Sequence, residues 1–573
     1  MNEASGVSTA EQTPVAAHGA SSDQPQIAPE VAEVEQPRAE RDGWTAPSTR
    51  TSRWQPPAVR DDLSTVERLR DGRLSDAAAG WFTTLTITLL AFLIRLHNLG
   101  YPNQLIFDET YYAKDAWSLL QFGYERNWPD NANDQIIAGT PNVYSSTAEF
   151  VVHPPLGKWL IAIGEQWFGM NAFGWRFMAC VFGALLVFAT IRLARRLSRS
   201  TLIGGIAGLL LTLDGLAFVM SRTALLDVFQ AVFLVAAVAC CVTDRDWYRE
   251  RLAGLLEQRG RHDLHGEFGP VVWLRPWRLA AGVMFGAALA CKWNSVFVLA
   301  VFGVVSVLWD VGARKLAGAN WRSWLAVLVD GIPAFVRMVV VAVAVYVSTW
   351  IPWLLSSGGY NRDWGLKNPD HPWVKAFGEG FASLLFFHKE IYEFHTGDYI
   401  NNATHPYDAH PAGWLAMLRP TGFAATNDIA PGTDGCVGPE NCIRVISAMG
   451  TPVLWWMAAV ALVVWWIGGR DWRFGVPVLG ALASYLPWFN YADRPLFFFY
   501  AITIVPFTVI GLAMVLGLIL GPAHSPGRRR GAIIVGVAVA LVAANFAYIY
   551  PVLTNELLPY SQWLSRMWLR SWI

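Results

Sequence analysis

The sequence predicts an all-α polytopic membrane protein, and three observations support this fold class. Hydrophobic residues make up 54% of the 573-residue chain and charged residues only 15%, whereas soluble domains carry about 25% charged residues. Uncharged apolar stretches recur along the chain and reach the roughly 20 residues that a membrane-crossing helix needs. The 29 tryptophans fit a protein with extensive membrane–water interfaces, where this side chain is enriched.

Composition also excludes several classes of protein. The 44 basic and 44 acidic residues leave no net charge, which argues against nucleic acid as a partner, because a general nucleic-acid binder is basic. Six cysteines without a Cys-x-x-Cys pair exclude a disulfide scaffold and provide no metal or redox motif.

The first 78 residues differ from the rest of the chain. They are rich in Ala, Glu, Gln, Pro and Ser, and their first aromatic residue is Trp44. Such a segment cannot bury enough apolar surface to offset its ordering entropy. We interpret 1–78 as a disordered tail, cytoplasmic because arginines precede the first span, and 79–573 as a transmembrane domain.

Ten apolar stretches divide the transmembrane domain. They lie at about 81–96, 174–192, 202–220, 224–242, 279–309, 335–355, 452–468, 474–490, 496–519 and 531–550. The stretch 279–309, interrupted by Lys292 and Asn294, is too long for one straight crossing and short for two. We interpret it as a two-span hairpin, which brings the prediction to eleven crossings. A single crossing there would invert every later loop.

Arginine clusters predict the orientation of these spans. With eleven crossings, all of them fall on the cytoplasmic side: Arg192–Arg199, the seven arginines of 243–278, Arg314/Lys315, Arg470/Arg473 and Arg528–Arg530. The two long polar loops, 97–173 and 356–450, then face outward from the plasma membrane. Cys436 and Cys442 lie in the second loop on this oxidising side, which favours a disulfide over two free thiols.

Two adjacent carboxylates open the first outer loop, at Asp108 and Glu109. Partial burial and mutual repulsion would both raise a carboxyl pKa, which suits a general base. The alternative is a solvated acidic pair. His153 and Lys158 flank a Pro-Pro helix start at the end of the same loop, where cations and a helix N-terminus attract phosphate. The alternative there is a simple turn before an amphipathic helix.

Further cations map to the outer face, near membrane depth, where ionisable groups are usually functional. They are Arg176, Arg222, Lys292 and Arg494. Several cations beside two carboxylates suggest an anionic lipid head group next to a base, since the arginine fork suits phosphate. For Arg222, an ion pair with Asp227 or Asp214 is the alternative.

The second outer loop contains a histidine-rich run. The histidines of this run are His388, His395, His405 and His410. Their spacing fits no compact metal-ligand pair, so we interpret them as interfacial histidines among aromatic residues.

Together these motifs resemble the protein O-mannosyltransferase family, in its actinobacterial form. The resemblance covers about 80–510 and rests on Phe107-Asp108-Glu109, His153-Pro-Pro-Leu-Gly-Lys158, Ser221-Arg222…Leu226-Asp227, Lys292-Trp293, His405-Pro-Tyr407…Trp414…Arg419-Pro420, Pro452-Val-Leu-Trp455-Trp456 and Pro487-Trp488…Arg494…Phe-Phe-Tyr500. It implies a C-type glycosyltransferase fold without a cofactor or catalytic metal. Asp108 matches the family's essential acid, and Arg176 and Arg494 match positions associated with activity and the donor phosphate.

The resemblance also implies the substrates and partners. Mannose would pass, with inversion, from a polyprenyl phosphate to a Ser or Thr hydroxyl of an exported protein, which the secretion translocon would deliver. Asp108 would act as the base, and Arg494, with Arg176 or Lys158, would stabilise the leaving phosphate. Two departures concern the second loop: it is too short for the sugar-binding-like insertion of eukaryotic members, and Asp408 stands where a small residue is expected.

Two other functions compete with this interpretation. A related enzyme could move a lipid-linked pentose or aminosugar to a glycan or glycolipid, because a fold does not determine the acceptor. A transporter of the lipid-linked sugar is less favoured, because the sequence shows no internal repeat. A purely structural subunit would not explain carboxylates and cations on one side.

Overall fold

The computed structural model describes residues 64–70, 76–468, 471–523 and 525–573, without the side chains of 464–468. Most of the predicted tail, residues 1–63 and 71–75, and Arg470 therefore lie outside the described residues.

Helices dominate the first half of the described chain. They are α1 (Thr65–Arg70), α2 (Ala77–Leu96), α3 (Glu109–Phe122), α4 (Ala132–Ile137), α5 (Leu156–Phe168), α6 (Ala172–Ser198), α7 (Thr201–Thr212), α8 (Gly215–Met220), α9 (Asp227–Gln258), α10 (Pro276–Leu289) and α11 (Ser295–Leu316).

The second half adds further helices and a small sheet. The helices are α12 (Ala326–Val329), α13 (Gly331–Phe335), a π-helical segment (Val336–Val340), α14 (Val341–Ser348), α15 (Ile351–Leu355), α16 (Trp364–Lys367), α17 (Pro372–Thr396), α18 (Asp398–Asn401), α19 (Pro452–Gly468), α20 (Trp472–Tyr485), α21 (Val505–Leu520), α22 (Arg528–Leu553) and α23 (Tyr560–Arg566). The strands are β1 (Thr421–Ile429), β2 (Cys442–Ala448) and β3 (Leu557–Pro559).

Six helical segments in the described residues are long and apolar enough to cross a membrane. They are Ala77–Leu96, Ala172–Ser198, Asp227–Gln258, Ser295–Leu316, Asn320–Ser348 and Arg528–Leu553. Three shorter apolar helices accompany them. The mostly helical, multi-pass fold class is confirmed, and the total of eleven crossings stays a prediction.

Two predicted spans are interrupted for identifiable reasons. The stretch 202–220 breaks between α7 and α8 at Asp214, which is fully buried and accepts hydrogen bonds from the backbone N–H of Ala217 (2.8 Å) and the indole N–H of Trp455 (2.7 Å). The stretch 279–309 breaks between α10 and α11, in the turn that carries Lys292. Of the two helices, α11 is long and apolar enough to cross a membrane, and the two-span hairpin stays a prediction.

The span predicted at 335–355 has different bounds. The apolar helical segment runs from Asn320 to Ser348, so it begins 15 residues before the predicted start and ends before Pro352. The charged residue Asp330 interrupts its hydropathy but is buried in an ion pair with Arg314 (2.7 Å), so the helical segment continues past it.

The second outer loop is more ordered than predicted. It contains the long helix α17 and the strands β1 and β2. With β3 from the C-terminal segment, these strands form a three-stranded antiparallel sheet in the order β1-β2-β3, which sequence reasoning did not foresee in an all-α protein. β1 and β2 pair from Thr421 opposite Ala448 to Ile429 opposite Cys442. The predicted disulfide between Cys436 and Cys442 is present and closes the segment between these strands.

Part of the predicted tail is also ordered. Helix α1 lies within residues 1–78, and Leu69 packs with Leu252, Leu256 and Leu264 at 2% exposure. For these six residues the prediction of disorder was wrong, because the apolar side of this short amphipathic helix packs against an apolar surface at the C-terminal end of α9.

Candidate active site

The site begins at the residue before Asp108. Phe107 has a backbone φ of 46°, a left-handed conformation that is costly for a bulky residue. Its ring stacks on Phe423 of β1 (ring centroids 4.6 Å apart) and meets Phe499 edge-on (5.4 Å). These contacts offset the strain and anchor the start of α3 to two later parts of the chain.

Asp108 stands directly before α3 and is half-buried. Its carboxylate makes no capping hydrogen bond to the helix. Burial raises the pKa of Asp108 to about 6; the nearby Lys292 cation opposes this rise and the Asp227 carboxylate adds to it. A carboxylate with this pKa is a stronger base than an exposed aspartate and is still ionised at neutral pH.

Lys292 and Asp227 form an ion pair close to Asp108. The ammonium lies 2.9 and 2.8 Å from the two carboxylate oxygens of Asp227 and 4.9 Å from the ring centre of Tyr500. Both members of the pair are buried. Lys292 and Asp227, for which the sequence predicts supporting roles, therefore lie beside the Asp108 carboxylate.

Arg494 lies in the segment before Phe497–Tyr500 and belongs to the group of residues around Asp108. Its Nη1 lies 3.0 Å from Nδ1 of His395. Its Nε is buried and has no hydrogen-bond partner among the described residues. An arginine with an unpaired, buried N–H next to a base is a candidate anion-binding group.

His153 also belongs to this group. Its ring centre lies 5.4 Å from that of His395 and 6.2 Å from that of Tyr112. Burial, followed by the charge of Lys292, holds the pKa of His153 well below its usual range. The imidazole is therefore neutral, so it can contact a phosphate as a hydrogen-bond donor but not as a cation.

Glu109 does not share the surroundings of Asp108. It is completely buried, and its two oxygens lie 2.8 Å from Nε and Nη2 of Arg176. The backbone N–H groups of Ile106 and Ala224 donate to the same carboxylate. With four donors, the Glu109 carboxylate is engaged in the protein interior, which gives no support to its predicted catalytic role.

Arg176 is occupied in the same way. Besides Glu109, its guanidinium donates to the carbonyls of Pro102 (2.9 Å) and Gln104 (2.8 Å). The guanidinium is thus engaged by a buried carboxylate and the loop backbone, which gives no support to the predicted contact between Arg176 and the donor phosphate. Through these contacts Arg176 joins α6 to the loop that carries Asp108.

Lys158 also differs from its predicted role. It is 1% exposed, and its ammonium lies 3.0 Å from Asp115 and 2.8 Å from Glu125. This pairing with two buried carboxylates gives no support to the predicted contact between Lys158 and the donor phosphate. Lys158 instead joins α5 to α3, and the amphipathic-helix alternative describes this segment better.

Arg222 forms neither of the ion pairs that we considered. It donates to the backbone carbonyls of Arg95 (2.6 Å), His97 (2.6 Å) and Asn98 (3.0 Å). Arg222 thus caps the C-terminal end of α2. The last four carbonyls of an α-helix have no partner within the helix, so they need donors from elsewhere.

Sequence reasoning missed two contributors from the second outer loop. His395 was interpreted as an interfacial histidine, although it contacts Arg494. Asp408, noted only as a departure, accepts a hydrogen bond from the backbone N–H of Leu496 (2.8 Å). Both contacts join residues about 90 to 100 positions apart, for which periodicity offers no signal.

The chain is similar to known proteins over most of its length. Residues 85–358 match the model of the dolichyl-phosphate-mannose-protein mannosyltransferase family. A polyprenol-phosphate-mannose–protein mannosyltransferase of Mycobacterium tuberculosis is 40% identical over 89% of this chain and 94% of its own. One from Corynebacterium glutamicum is 33% identical over 86% and 93%.

The chain belongs to this family of protein mannosyltransferases. The solved S. cerevisiae protein O-mannosyltransferase Pmt1-Pmt2 complex bound to the sugar donor is similar in fold, with a TM-score of 0.62 at 13% identity, covering 89% of this chain and 94% of that one. At this identity the likeness concerns the fold alone, which is of the glycosyltransferase C type.

Proposed function

We propose that this mannosyltransferase transfers mannose from a polyprenyl phosphate to Ser or Thr hydroxyls of exported proteins. Membership of the family supports the reaction class. The observation that carries the assignment to this site is the half-buried Asp108 carboxylate, which lies near the Lys292 ammonium and in the same group of residues as Arg494.

The proposed chemistry is a single displacement. The acceptor oxygen forms a bond to the anomeric carbon of mannose while its proton passes to Asp108. The bond between that carbon and the phosphate oxygen breaks, and its electron pair stays on the phosphate. Attack opposite the leaving group inverts the anomeric centre.

Arg494 is the residue that we assign to the leaving phosphate. Charge increases on the phosphate as the glycosidic bond breaks, and an already oriented guanidinium stabilises that charge without reorganising. Lys292 keeps Asp108 ionised at neutral pH by opposing the effect of burial on its pKa. The neutral His153 is placed to donate a hydrogen bond to the same phosphate.

We further propose that the site faces outward from the plasma membrane and that the secretion translocon supplies acceptors. The positive-inside distribution of arginines supports the outward orientation. The disulfide in the second outer loop agrees with an oxidising side. Unfolded chains leaving a translocon expose Ser and Thr hydroxyls that a site at the membrane surface can reach.

The test compares wild-type membranes with two matched variants. Radiolabelled polyprenyl-phosphate mannose and a Thr-rich exported peptide are supplied, and labelled peptide is counted. Asp108→Asn keeps the shape and removes the base, so transfer should fall about 10²- to 10⁴-fold. Glu109→Gln should instead lower the amount of folded protein, because it breaks the buried pair with Arg176.

The outcomes separate the proposal from its rivals. Equal transfer by Asp108→Asn would move the base to another residue. No transfer by a folded wild type to any exported peptide would overturn the protein-acceptor proposal and favour a glycan acceptor or transport without bond formation.

A further inference from the structure

The contact between His395 and Arg494 constrains the protonation of the histidine. An arginine side chain has only donors, so Nδ1 of His395 must accept the hydrogen bond from Nη1 of Arg494 (3.0 Å). The proton therefore resides on Nε2, which lies 2.9 Å from the carbonyl oxygen of Val152 and donates to it. One ring thus connects the first outer loop to Arg494.

The ring is neutral under ordinary conditions. Burial is the main cause that lowers the pKa of His395 to about 4, and the charges of Arg494 and Lys292 lower it further. A protonated ring would present an N–H to the guanidinium and repel it. At neutral pH the imidazole is instead a dependable acceptor.

We propose that His395 is a positioning residue, which holds the Arg494 guanidinium by one edge so that its unpaired Nε–H stays available to the donor phosphate. This inference rests on the proposed function. An unpaired buried N–H costs about 1–3 kcal/mol, and a phosphate oxygen would remove that cost when the donor binds. The histidine prevents the guanidinium from rotating to satisfy the Nε–H elsewhere.

A second contact from the same loop supports the backbone that carries Arg494. The Asp408 carboxylate accepts from the N–H of Leu496 at 2.8 Å, and the N–H of Ala409 donates to the carbonyl of Leu496 at 2.7 Å. The segment is thus held two residues beyond Arg494, while His395 holds the side chain. The second outer loop therefore contributes to the phosphate site by orienting it.

Two substitutions at His395 separate positioning from simple loop anchoring. In His395→Asn the amide oxygen stands at the position of Nδ1 and can still accept from Arg494. In His395→Gln the amide N–H₂ stands near Nε2 and can still donate to Val152, but the acceptor for Arg494 is lost. His395→Ala loses both bonds, and the exposed His410→Gln is the control.

The readouts are the KM for polyprenyl-phosphate mannose, kcat and the thermal midpoint of the purified full chain in detergent. We expect His395→Asn to stay within about threefold of the wild-type KM. His395→Gln and His395→Ala should raise it about tenfold, the loss of one hydrogen bond to a charged group. His410→Gln should match the wild type.

The opposite order would overturn the proposal. If His395→Gln keeps the wild-type KM while His395→Asn behaves like alanine, the histidine only anchors the loop to Val152. Equal values for all variants would also overturn it. In an Arg494→Gln background, where transfer is lost, changing His395 should have no further effect on the affinity for a sugar-free polyprenyl phosphate. An undiminished effect there would contradict the proposal.

Failure of the proposed function is distinguishable from failure of this inference. If folded wild type transfers no mannose, binding of a sugar-free polyprenyl phosphate is measured for the same variants. Positioning predicts the same order of affinity, with His395→Asn above His395→Gln. An unchanged affinity across the variants would overturn the positioning role independently of any transfer.

Discussion

Two adjacent carboxylates have opposite environments in this protein. Glu109 is enclosed by Arg176 and two backbone N–H groups, whereas Asp108 is half-buried beside Lys292. Side chains one residue apart at a helix start point about 100° apart, so one can face the core while its neighbour faces the site. A reactive carboxylate and its structural support thus occupy consecutive positions.

The first residue-scale prediction concerns pH. Because the base must be ionised and the pKa of Asp108 is raised to about 6, kcat/KM should be level above that pH and fall about tenfold per unit below it. Lys292→Gln removes a charge that lowers this pKa, so the acidic limb should move to higher pH. A pH–rate profile from 5 to 8 with the thermal midpoint as control tests both. A wild-type profile that stays level down to pH 5 would contradict the assignment.

The second residue-scale prediction contrasts two arginines. Arg176→Met leaves the Glu109 carboxylate buried and unpaired, which should destabilise the protein by about 3–5 kcal/mol. Arg494→Met removes a half-buried side chain with an unpaired Nε, so the fold should survive while transfer is lost. Thermal unfolding in detergent and the transfer assay measure the two effects. Similar loss of stability in both variants would show that Arg494 is structural.

At the scale of secondary-structure elements, charged residues connect helices to one another in addition to forming the candidate active site. Arg275 and Arg278 each contact both Asp244 and Asp310, at distances between 2.5 and 3.0 Å. All four are buried, and they connect the start of α10 to α9 and α11. These elements lead to the turn that carries Lys292.

Removing one member of this four-residue cluster should be costly. Asp310→Ala leaves two guanidiniums to share the Asp244 carboxylate, and we expect a loss of about 3–5 kcal/mol of stability. The control is Glu267→Ala, which breaks the exposed pair with Arg261 (2.6 Å) and should leave stability unchanged, since surface pairs contribute little. Thermal unfolding of both variants measures the difference, and equal midpoints would refute a structural role for the cluster.

At the scale of the whole molecule, the distribution of arginines predicts the orientation of the chain in the membrane. Asp370 lies in the second outer loop, and Gln258 ends α9 within the arginine-rich segment 243–278; both residues are exposed. With eleven crossings they lie on opposite sides of the bilayer.

A labelling experiment tests this topology. A membrane-impermeant thiol reagent should label Asp370→Cys in intact cells and Gln258→Cys only after permeabilisation. Wild type is the control, because Cys436 and Cys442 are disulfide-bonded and three of the four free cysteines are buried. The reverse pattern would invert the orientation and place the site on the cytoplasmic side.

Several features could be predicted because they depend on local chemistry. The length of the apolar stretches indicates membrane helices, and the interruption at Lys292 indicates a break between two helices. Two cysteines six residues apart can form a disulfide. The motif around Asp108 was also recognisable. The roles of Arg176 and Lys158 were not, because a charged residue near the membrane can bind a ligand or a buried partner equally well.

The sequence by itself determined the helical membrane fold, the family and the candidate base. Only the tertiary structure decided which cations remain available beside that base. In the folded chain, Arg176 forms an ion pair with Glu109, and Lys158 forms ion pairs with Asp115 and Glu125. His395 contacts Arg494. The physical reason is that a buried charge must be paired, and the partner is chosen by packing between segments that are remote in sequence.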